Sequence, residues 1–539
     1  MTAEAGAIGA AELVARGMDW PRRGWALLDV RDAGEFERGH VPGATSLPRR
    51  MLEFRALEVM PDAGWPVVVY DSGRPGDRRA ALAADRLGEL GVERVEILAG
   101  GVLGWSMEGR ALATGVNVPS KRFGEEVLEG DGVKVVTPEE LMRSGAGAIC
   151  DVRTAREFAD HHLKGAVSLP GFDLAGHLPG LARQSDRIIL NCAGRTRSII
   201  AAATAGALGY ACAALENGTM GWRLAGGKVE SGAGEEMPGA AKADVVAVAV
   251  RARELALSQG VVPVAAADLA RRRAEAGPER PYVLDVRALE AFEGGHVPGA
   301  ICLPGGQAIQ RTDDFLAVPG APVVVTDDGD ARAWLAAWWL KRMGFAQVFV
   351  LEGGVPAWRE AGQDMATGRG RQRPELVDRV VSEVPKIGAG ELNERLRRGD
   401  VPVTVDVSSS RAYARGHLSG AIWISRGWLE HEIRRHASPG DLVVVTAHDR
   451  VQAMLGAEAL LRAGYPNAVA LDADMRDWRA LGGAVDTGNL PAHALDIVEP
   501  PYAKGLEGMR AYLDWEIRLT EGAPDGKSPS AAAGGPAGA

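Results

Sequence analysis

The sequence predicts an α/β protein of four tandem domains, each a mainly parallel sheet with helices on both faces. An Asp at the end of an apolar run is followed eleven residues later by a His, and this register occurs four times. Short apolar runs alternate with helical stretches in each copy, which is typical of parallel strands joined by helices. The Asp and His pairs are Asp29 and His40, Asp151 and His162, Asp285 and His296, and Asp406 and His417.

The second copy shows how the elements follow one another. Thr137 caps a helix that starts with a proline. Residues 148–152 and 187–191 are apolar runs, which predict two strands. Residues 198–209 predict an Ala-rich helix that ends at a glycine, and residues 211–215 predict a further strand. Strands and helices therefore alternate through the copy, as a parallel sheet requires.

Changes of composition mark linkers between the copies. The predicted domains span residues 1–115, 134–225, 262–366 and 386–487. Residues 488–539 follow them as a C-terminal segment. Within it, residues 505–520 predict an amphipathic helix, which we expect to pack on the fourth domain or on a partner subunit. Residues 521–539 are rich in Gly, Pro, Ser and Ala, which predicts disorder.

Composition and charge restrict the kind of partner. The 539 residues carry a net charge of −10 without a basic stripe, which argues against nucleic-acid binding. No apolar run is long enough to span a membrane, and the N-terminal residues have no signal-peptide core. Four cysteines without Cys-x-x-Cys spacing fit a reducing compartment and offer no zinc site. We therefore expect a cytoplasmic protein without metal, membrane or nucleic-acid partners.

One cysteine stands where chemistry is expected. Cys192 follows the apolar run at residues 187–191 and precedes a short Gly/Arg loop and the next helix. A thiol at this position faces unpaired amides and the positive end of the helix, with two guanidinium groups nearby. These features stabilise a thiolate, so Cys192 is predicted to be a nucleophile.

The other three copies carry no cysteine at this position. Counting seventeen residues back from the glycine that ends the helix places Asp327 and Ala447 where the second copy has Cys192. The loop of the first copy is three residues longer and places Asp71 there. We therefore predict that the first, third and fourth domains are inactive. The Asp, His and Trp residues that recur in all four copies are interpreted as structural.

Residues 192–197 resemble the active-site loop of the rhodanese sulfurtransferases, which has six residues and begins with a persulfide-forming cysteine. The Asp-Val-Arg, Gly-His-x-x-Gly-Ala and Gly-Gly-x-x-x-Trp segments resemble signatures of the same family over nearly all of residues 10–487. The related cell-cycle phosphatases have a loop one residue longer, with an arginine where this sequence has Ser198. The loop length therefore favours sulfur over phosphate.

The resemblance implies a two-step transfer without a cofactor, because sulfur is carried as a Cys192 persulfide. It implies that loop amides cradle the persulfide, that the two loop arginines bind the oxyanion of a small anionic donor, and that Gly194 supplies a positive φ or a close approach. Asp151, Arg153 and Glu157 are expected to support the loop. The residues expected to bind the substrate are Ala193, Gly194, Arg195, Thr196, Arg197 and Ser198.

The sequence leaves the donor and the role of the chain open. Thiosulfate is the first expectation, with 3-mercaptopyruvate, glutathione persulfide or a partner protein as alternatives, because many thiosulfate-preferring members have Arg where Ala193 stands. The expected acceptor is a thiol, cyanide or a sulfur-accepting protein. An interpretation from another class is a scaffold or sensor, in which Cys192 is modified without turnover. That interpretation accounts best for three copies without the nucleophile.

Overall fold

The computed structural model describes residues 6–145, 147–234, 237, 239–304, 306–369, 373–488 and 494–521. It confirms the α/β class, because four five-stranded sheets follow one another along the chain with helices around them. Numbered in chain order, the strands of every sheet lie in the order 1-5-4-2-3, and all neighbours are parallel. Among the helices of the described residues, none has the length and apolar character needed to cross a membrane.

The strands are short and repeat at the same places in each domain. Those of the first sheet are Gly6–Ile8, Ala26–Asp29, Thr45–Ser46, Val67–Tyr70 and Val95–Leu98. Those of the second are Lys134–Val136, Ala148–Asp151, Ala166–Ser168, Ile188–Asn191 and Cys212–Leu215. Those of the third are Val262–Val264, Tyr282–Asp285, Ile301–Cys302, Val323–Thr326 and Val348–Leu351. Those of the fourth are Lys386–Ile387, Val403–Asp406, Ile422–Trp423, Val443–Thr446 and Ala468–Leu471. Two antiparallel ribbons pair His162–Leu163 with Val229–Glu230 and His417–Leu418 with Val485–Asp486.

The helices fill the intervals between the strands. In the first domain they are Ala10–Ala15, Ala33–Arg38, Leu52–Val59, Arg79–Glu89 and Gly101–Met107. In the second they are Pro138–Ser144, Ala155–Asp160, Leu174–Gln184, Thr196–Ala207 and Gly218–Leu224. In the third they are Ala266–Ala274, Leu289–Gly294, Gln307–Gln310, Thr312–Phe315, Ala331–Arg342 and Gly354–Glu360. In the fourth they are Ala389–Arg397, Ser410–Arg415, Leu429–Glu432, Arg450–Arg462 and Met475–Ala480.

The central strand of each sheet is buried along its whole length, which explains its apolar sequence. In the second domain this strand is Ile188–Asn191, one residue shorter than the predicted 187–191. The helix after it spans Thr196–Ala207 and begins two residues before the predicted start. Gly209, with φ +84°, follows the C-terminal cap of this helix and ends it, as the sequence indicated.

The repeated Asp, His and Trp residues make structural contacts, in agreement with the sequence. Asp151 is fully buried, and its carboxylate accepts a hydrogen bond of 2.7 Å from Nη2 of Arg153. His162 stacks on Phe158, and its Nδ1 lies 3.0 Å from the carbonyl oxygen of that residue. The indole of Trp222 donates to the carbonyl six residues later, at 2.9 Å. The equivalent histidines stack in the same way, His40 on Phe36, His296 on Phe292 and His417 on Tyr413.

Three linker helices pack between the domains. Val118–Gly130, which we call the linker helix, lies along Thr196–Ala207 and was not indicated by the sequence. Lys242–Ser258 lies in the second linker and packs on Ala331–Arg342 of the third domain. The third linker contains Glu375–Glu383. These helices make the linkers part of the packed structure.

The C-terminal helix spans Gly505–Ile517 and is amphipathic as predicted, with Met509, Leu513 and Glu516 buried. The expectation that it packs on the fourth domain or on a partner subunit is wrong, because it lies on the second domain, against Gly218–Leu224 and the linker helix. Residues 494–504 carry the chain there past the first domain, where the Gly34 amide donates to the carbonyl of residue 495 at 2.7 Å. Residues 522–539 of the predicted disordered tail lie outside the described residues.

Candidate active site

Cys192 is the first residue after the central strand of the second sheet, and the helix Thr196–Ala207 begins four residues later. The residue is 2% exposed, and its Sγ lies 3.3 Å from Oγ of Ser198 and 3.6 Å from the carbonyl oxygen of Arg195. Among the described residues, no oxygen atom accepts a hydrogen bond from the amides of residues 193–198. These amides and the positive end of the helix are therefore available to an anionic group at the loop.

Carboxylates fill the equivalent loops of the first and third domains. Asp71, Asp327 and Ala447 each follow the central strand of their sheet, as the spacing predicted. The Asp71 carboxylate accepts hydrogen bonds from two amides at 2.9 and 3.0 Å, and Asp327 accepts from two amides at 2.7 and 2.8 Å. Burial raises the pKa of both carboxyl groups. The amide donors are Gly73 and Ala80 in the first domain, and Gly329 and Ala333 in the third.

Both loop arginines form ion pairs with carboxylates. Arg195 donates from Nη2 and Nε to the carboxylate of Glu125, on the linker helix, at 2.6 and 2.7 Å. It also donates from Nη1 to the side-chain oxygen of Asn217 at 2.8 Å. Arg197 donates from both terminal nitrogens to Glu157 at 2.8 Å. The structure therefore does not leave these guanidinium groups free for a donor, and an anion has to share them with the carboxylates.

In the second ion pair Arg197 is buried and Glu157 is about a third exposed, and each group keeps the other ionised. Burial opposes the ionised carboxylate, but the Arg197 guanidinium outweighs it and lowers the pKa of Glu157 to about 2. Burial likewise opposes the arginine cation, and the charge of Glu157 raises the pKa of Arg197. The same carboxylate accepts from the Thr154 hydroxyl at 2.8 Å, which anchors it to the start of Ala155–Asp160. Glu157 therefore joins Arg197 of the loop to the start of the helix Ala155–Asp160.

Asp151 and Arg153 lie beneath the loop rather than in it. The Asn191 side chain donates to the Asp151 carboxylate at 2.9 Å and to the Thr219 hydroxyl at 3.0 Å. That hydroxyl in turn donates to the carbonyl of Cys192 at 3.1 Å. This chain of hydrogen bonds connects the buried ion pair to the backbone of Cys192. Asn191 and Thr219 are positioning residues that the sequence did not single out.

Two glycines permit close backbone packing at the loop. Gly194 does not have the positive φ that was offered as one explanation, but it does make a close approach, since a Cβ there would lie 2.8 Å from the Met220 methyl group. Gly218 has φ +53°, and a Cβ on it would lie 2.3 Å from the carbonyl oxygen of Cys192. Gly354 of the third domain has the same relation to Asp327, with φ +63° and 2.3 Å.

Replacing Gly218 by Ala is expected to lower stability by about 1–3 kcal/mol, because a non-glycine residue is strained at this φ. The added Cβ also pushes the Cys192 backbone, and a displaced nucleophile costs about 10²-fold in transfer rate. Gly354→Ala is the matched control, since it adds the same strain at a loop without cysteine. Thermal melting and sulfite release measure the two effects. Equal losses of activity in both variants would contradict the positional argument.

The sequence missed the residues that enclose the loop from outside the second domain. Glu125 lies 70 positions before Arg195, and Glu516 lies 320 positions after Thr196, whose hydroxyl donates to it at 2.7 Å. Tyr512 also reaches Gly194, because its Cε1 lies 3.6 Å from an ideal Cβ there. No local pattern links positions so far apart. Only the packing of the linker helix and the C-terminal helix on the second domain brings these residues to the loop.

Comparison with known proteins agrees with this fold. The Rhodanese-like domain family matches residues 10–108, 137–225, 265–361 and 388–481, so the chain belongs to the rhodanese family. A crystal structure of a thiosulfate sulfurtransferase from Pseudomonas aeruginosa is similar with a TM-score of 0.83 and 33% identity, over 96% of this chain and 97% of that chain. The sulfurtransferase SseB of Mycobacterium tuberculosis H37Rv is 32% identical over an alignment of 213 residues that covers 32% of this chain and 72% of SseB. YibN of Escherichia coli K12 is 34% identical over 94 residues, 17% of this chain and 64% of YibN.

Proposed function

We propose that this member of the sulfurtransferase family moves sulfane sulfur from thiosulfate to a thiol acceptor through a persulfide on Cys192. The observation that supports this most is the contrast between the loops. The amides after Cys192 have no oxygen acceptor among the described residues, whereas the equivalent loops of the first and third domains are filled by Asp71 and Asp327. A similar protein is named as a thiosulfate sulfurtransferase, which supports the choice of donor.

The proposed chemistry consists of two displacements at sulfur. The Cys192 thiol loses its proton to solvent, and the thiolate attacks the outer sulfur of thiosulfate. A new sulfur–sulfur bond forms, the sulfur–sulfur bond of thiosulfate breaks, and its electron pair leaves with sulfite. An acceptor thiolate, or cyanide, then attacks the terminal sulfur of the persulfide and releases the Cys192 thiolate. No cofactor takes part, since the cysteine itself carries the sulfur.

The loop amides and arginines have separate tasks in this proposal. The amides of residues 193–198 stabilise the negative sulfur of the persulfide, and this role is supported by their lack of another oxygen acceptor among the described residues. Arg195 and Arg197 attract the sulfonate end of the donor. Since Glu125 and Glu157 hold both arginines, the donor competes with these carboxylates. This competition makes the charge of the donor important, and it leaves 3-mercaptopyruvate and glutathione persulfide as alternatives to be tested beside thiosulfate.

The first, third and fourth domains are proposed to be inactive supports. Asp71 and Asp327 place a carboxyl group, already hydrogen-bonded to loop amides, where the persulfide would form, and Ala447 has no reactive atom. The alternative function, a sulfur or redox sensor built from rhodanese domains, also uses Cys192 but without turnover. The two functions differ in one observable, which is the release of product after repeated cycles.

The test is to incubate the full chain with thiosulfate and a thiol acceptor, and to measure sulfite release over many turnovers. Mass spectrometry of peptides then locates added sulfur among the four cysteines. We expect continuous sulfite release and one added sulfur atom, on Cys192. An adduct on Cys192 without turnover would favour the sensor. If neither turnover nor an adduct on Cys192 is found with thiosulfate, 3-mercaptopyruvate or glutathione persulfide, the proposed sulfur transfer is wrong.

A further inference from the structure

The C-terminal helix covers the loop that carries Cys192. The Glu516 carboxylate accepts from the Thr196 hydroxyl at 2.7 Å, at the first residue of the helix that follows Cys192. Its other oxygen, Oε2, lies 3.6 Å from an ideal Cβ on Gly194. Leu513 and Met509 pack on Met220, behind the same glycine. The helix therefore contacts the loop at Gly194 and at Thr196.

Glu516 is a buried carboxylate with unused hydrogen-bonding capacity. The residue is 1% exposed, and Oε2 has no hydrogen-bond partner among the described residues. The charged and titratable groups that face it are Lys121 and Glu125 on the linker helix, Arg195 on the loop and Tyr512 on its own helix. Burial, together with the Glu516 carboxylate, raises the pKa of Tyr512, so its phenol is neutral. A negative side chain thus closes a loop that is built to receive an anion.

The three domains with an acidic group at this loop follow one pattern. In the first and third domains the carboxylate belongs to the loop itself, as Asp71 and Asp327. In the second domain the loop has cysteine at that position, and the carboxylate arrives from the C-terminal helix as Glu516. Asp71 and Asp327 are part of their loops, whereas Glu516 belongs to a separate helix and would leave the loop if that helix moved. Met509, Leu513 and Glu516 of this helix are buried, Tyr512 and Trp515 are half-buried beside Lys121, and its other residues face solvent or lie at its edge.

We propose that the C-terminal helix is a lid on the Cys192 site, and that Glu516 is an internal anion that a negatively charged donor must displace. This proposal rests on the proposed function for its donor, but the closing of the site does not depend on sulfur transfer. With the lid closed, Cys192 is shielded from solvent and the approach of an anion is opposed by a like charge. With the lid open, Thr196 and the loop amides face the donor.

The lid is tested in the full chain with iodoacetamide, which alkylates an accessible thiolate without any sulfur chemistry. The double variant Met509→Asp, Leu513→Asp places two charges in the apolar contact with Met220, and we expect Cys192 to react at least about tenfold faster. Leu506→Asp is the control, because Leu506 lies on the exposed face of the helix, 49% exposed. Peptide mass spectrometry gives separate rates for Cys192 and for buried Cys150. An unchanged rate at Cys192, or an equal rise at Cys150, would overturn the lid.

A second variant tests the charge of Glu516. Glu516→Gln keeps the shape of the side chain and removes the negative charge. Sulfate serves as an anion that binds at the loop and protects Cys192 from alkylation. We expect the sulfate concentration that halves the alkylation rate to be about tenfold lower in this variant than in the unmodified chain, because removing one nearby negative charge strengthens anion binding by about tenfold. An unchanged sulfate dependence would overturn the role of Glu516. If the lid variants behave as expected but thiosulfate yields no sulfite, the lid stands and the proposed sulfur transfer fails. If sulfite is released but the alkylation rates of the lid variants are unchanged, the sulfur transfer stands and the lid fails.

Discussion

Replacing Cys192 by Ser is expected to lower the release of sulfite from thiosulfate by at least about 10³-fold, because a hydroxyl at this place neither ionises at neutral pH nor forms a persulfide. Serine is nearly the same size, and the site already contains a hydroxyl, since Oγ of Ser198 lies 3.3 Å from the sulfur. The fold of the second domain should therefore be unchanged. The measurement is the initial rate of sulfite release with a saturating thiol acceptor.

The matched control for this variant is Cys212→Ser. Cys212 lies in the same domain, on the strand beside the one that ends at Asn191, and is partly buried. We expect it to keep the rate within about twofold, because it does not touch the reacting atoms. A Cys192→Ser protein that retained more than a tenth of the rate would show that another group carries the sulfur, and the proposed mechanism would be wrong.

Replacing Asp151 by Ala is expected to lower the free energy of unfolding of the second domain by about 3–5 kcal/mol, because it leaves the Arg153 guanidinium buried without its carboxylate. Arg153 is 1% exposed and donates to Asp151 from Nε and Nη2 at 2.9 and 2.7 Å. The substitution also removes the acceptor of the Asn191 amide, which supports the backbone below Cys192. Hydrogen exchange of the amides of Ile188–Asn191 measures the loss within this domain.

The fourth domain provides the control for this prediction. Asp406 is equally buried, but Ser408 stands where the other three domains have arginine, and its amide donates to Asp406 at 2.8 Å. Burial raises the pKa of Asp406, as expected for a carboxyl group without a cationic partner. Asp406→Ala should therefore cost only about 1–3 kcal/mol, the loss of a buried hydrogen bond. Equal losses in the two domains would contradict the role given to the buried arginine.

Features set by neighbouring residues could be predicted from the sequence. The glycine that ends each loop helix fixes the length of the helix before it, so counting back from it placed Cys192, Asp327 and Ala447 correctly after their strands. The histidines could be assigned to structure because they recur in copies without cysteine. In both cases the information lies within about twenty positions of the residue concerned, and short loops restrict the possible geometry.

Features set by packing between distant parts of the chain could not be predicted. Arg195 and Arg197 looked like free anion-binding groups, since nothing nearby in the sequence indicates that Glu125 would come from a linker helix. The amphipathic pattern of Gly505–Ile517 showed that one face is covered but not by which surface. Gly194 could be explained by a positive φ or by a close approach, and its φ together with the position of Met220 decided for the close approach. A pattern can report that a residue is constrained without naming the group that constrains it.

The hydrogen bond between Thr196 and Glu516 joins residues 320 positions apart, and this separation orders events during synthesis of the chain. Domains fold one after another as they leave the ribosome, so the second domain completes its fold while the two following domains are still being made. During that interval the loop lacks its helical cover, and small molecules around the nascent chain can reach Cys192. Translation of the last residues therefore does more than extend the chain, because it ends the period in which the Cys192 thiol is uncovered.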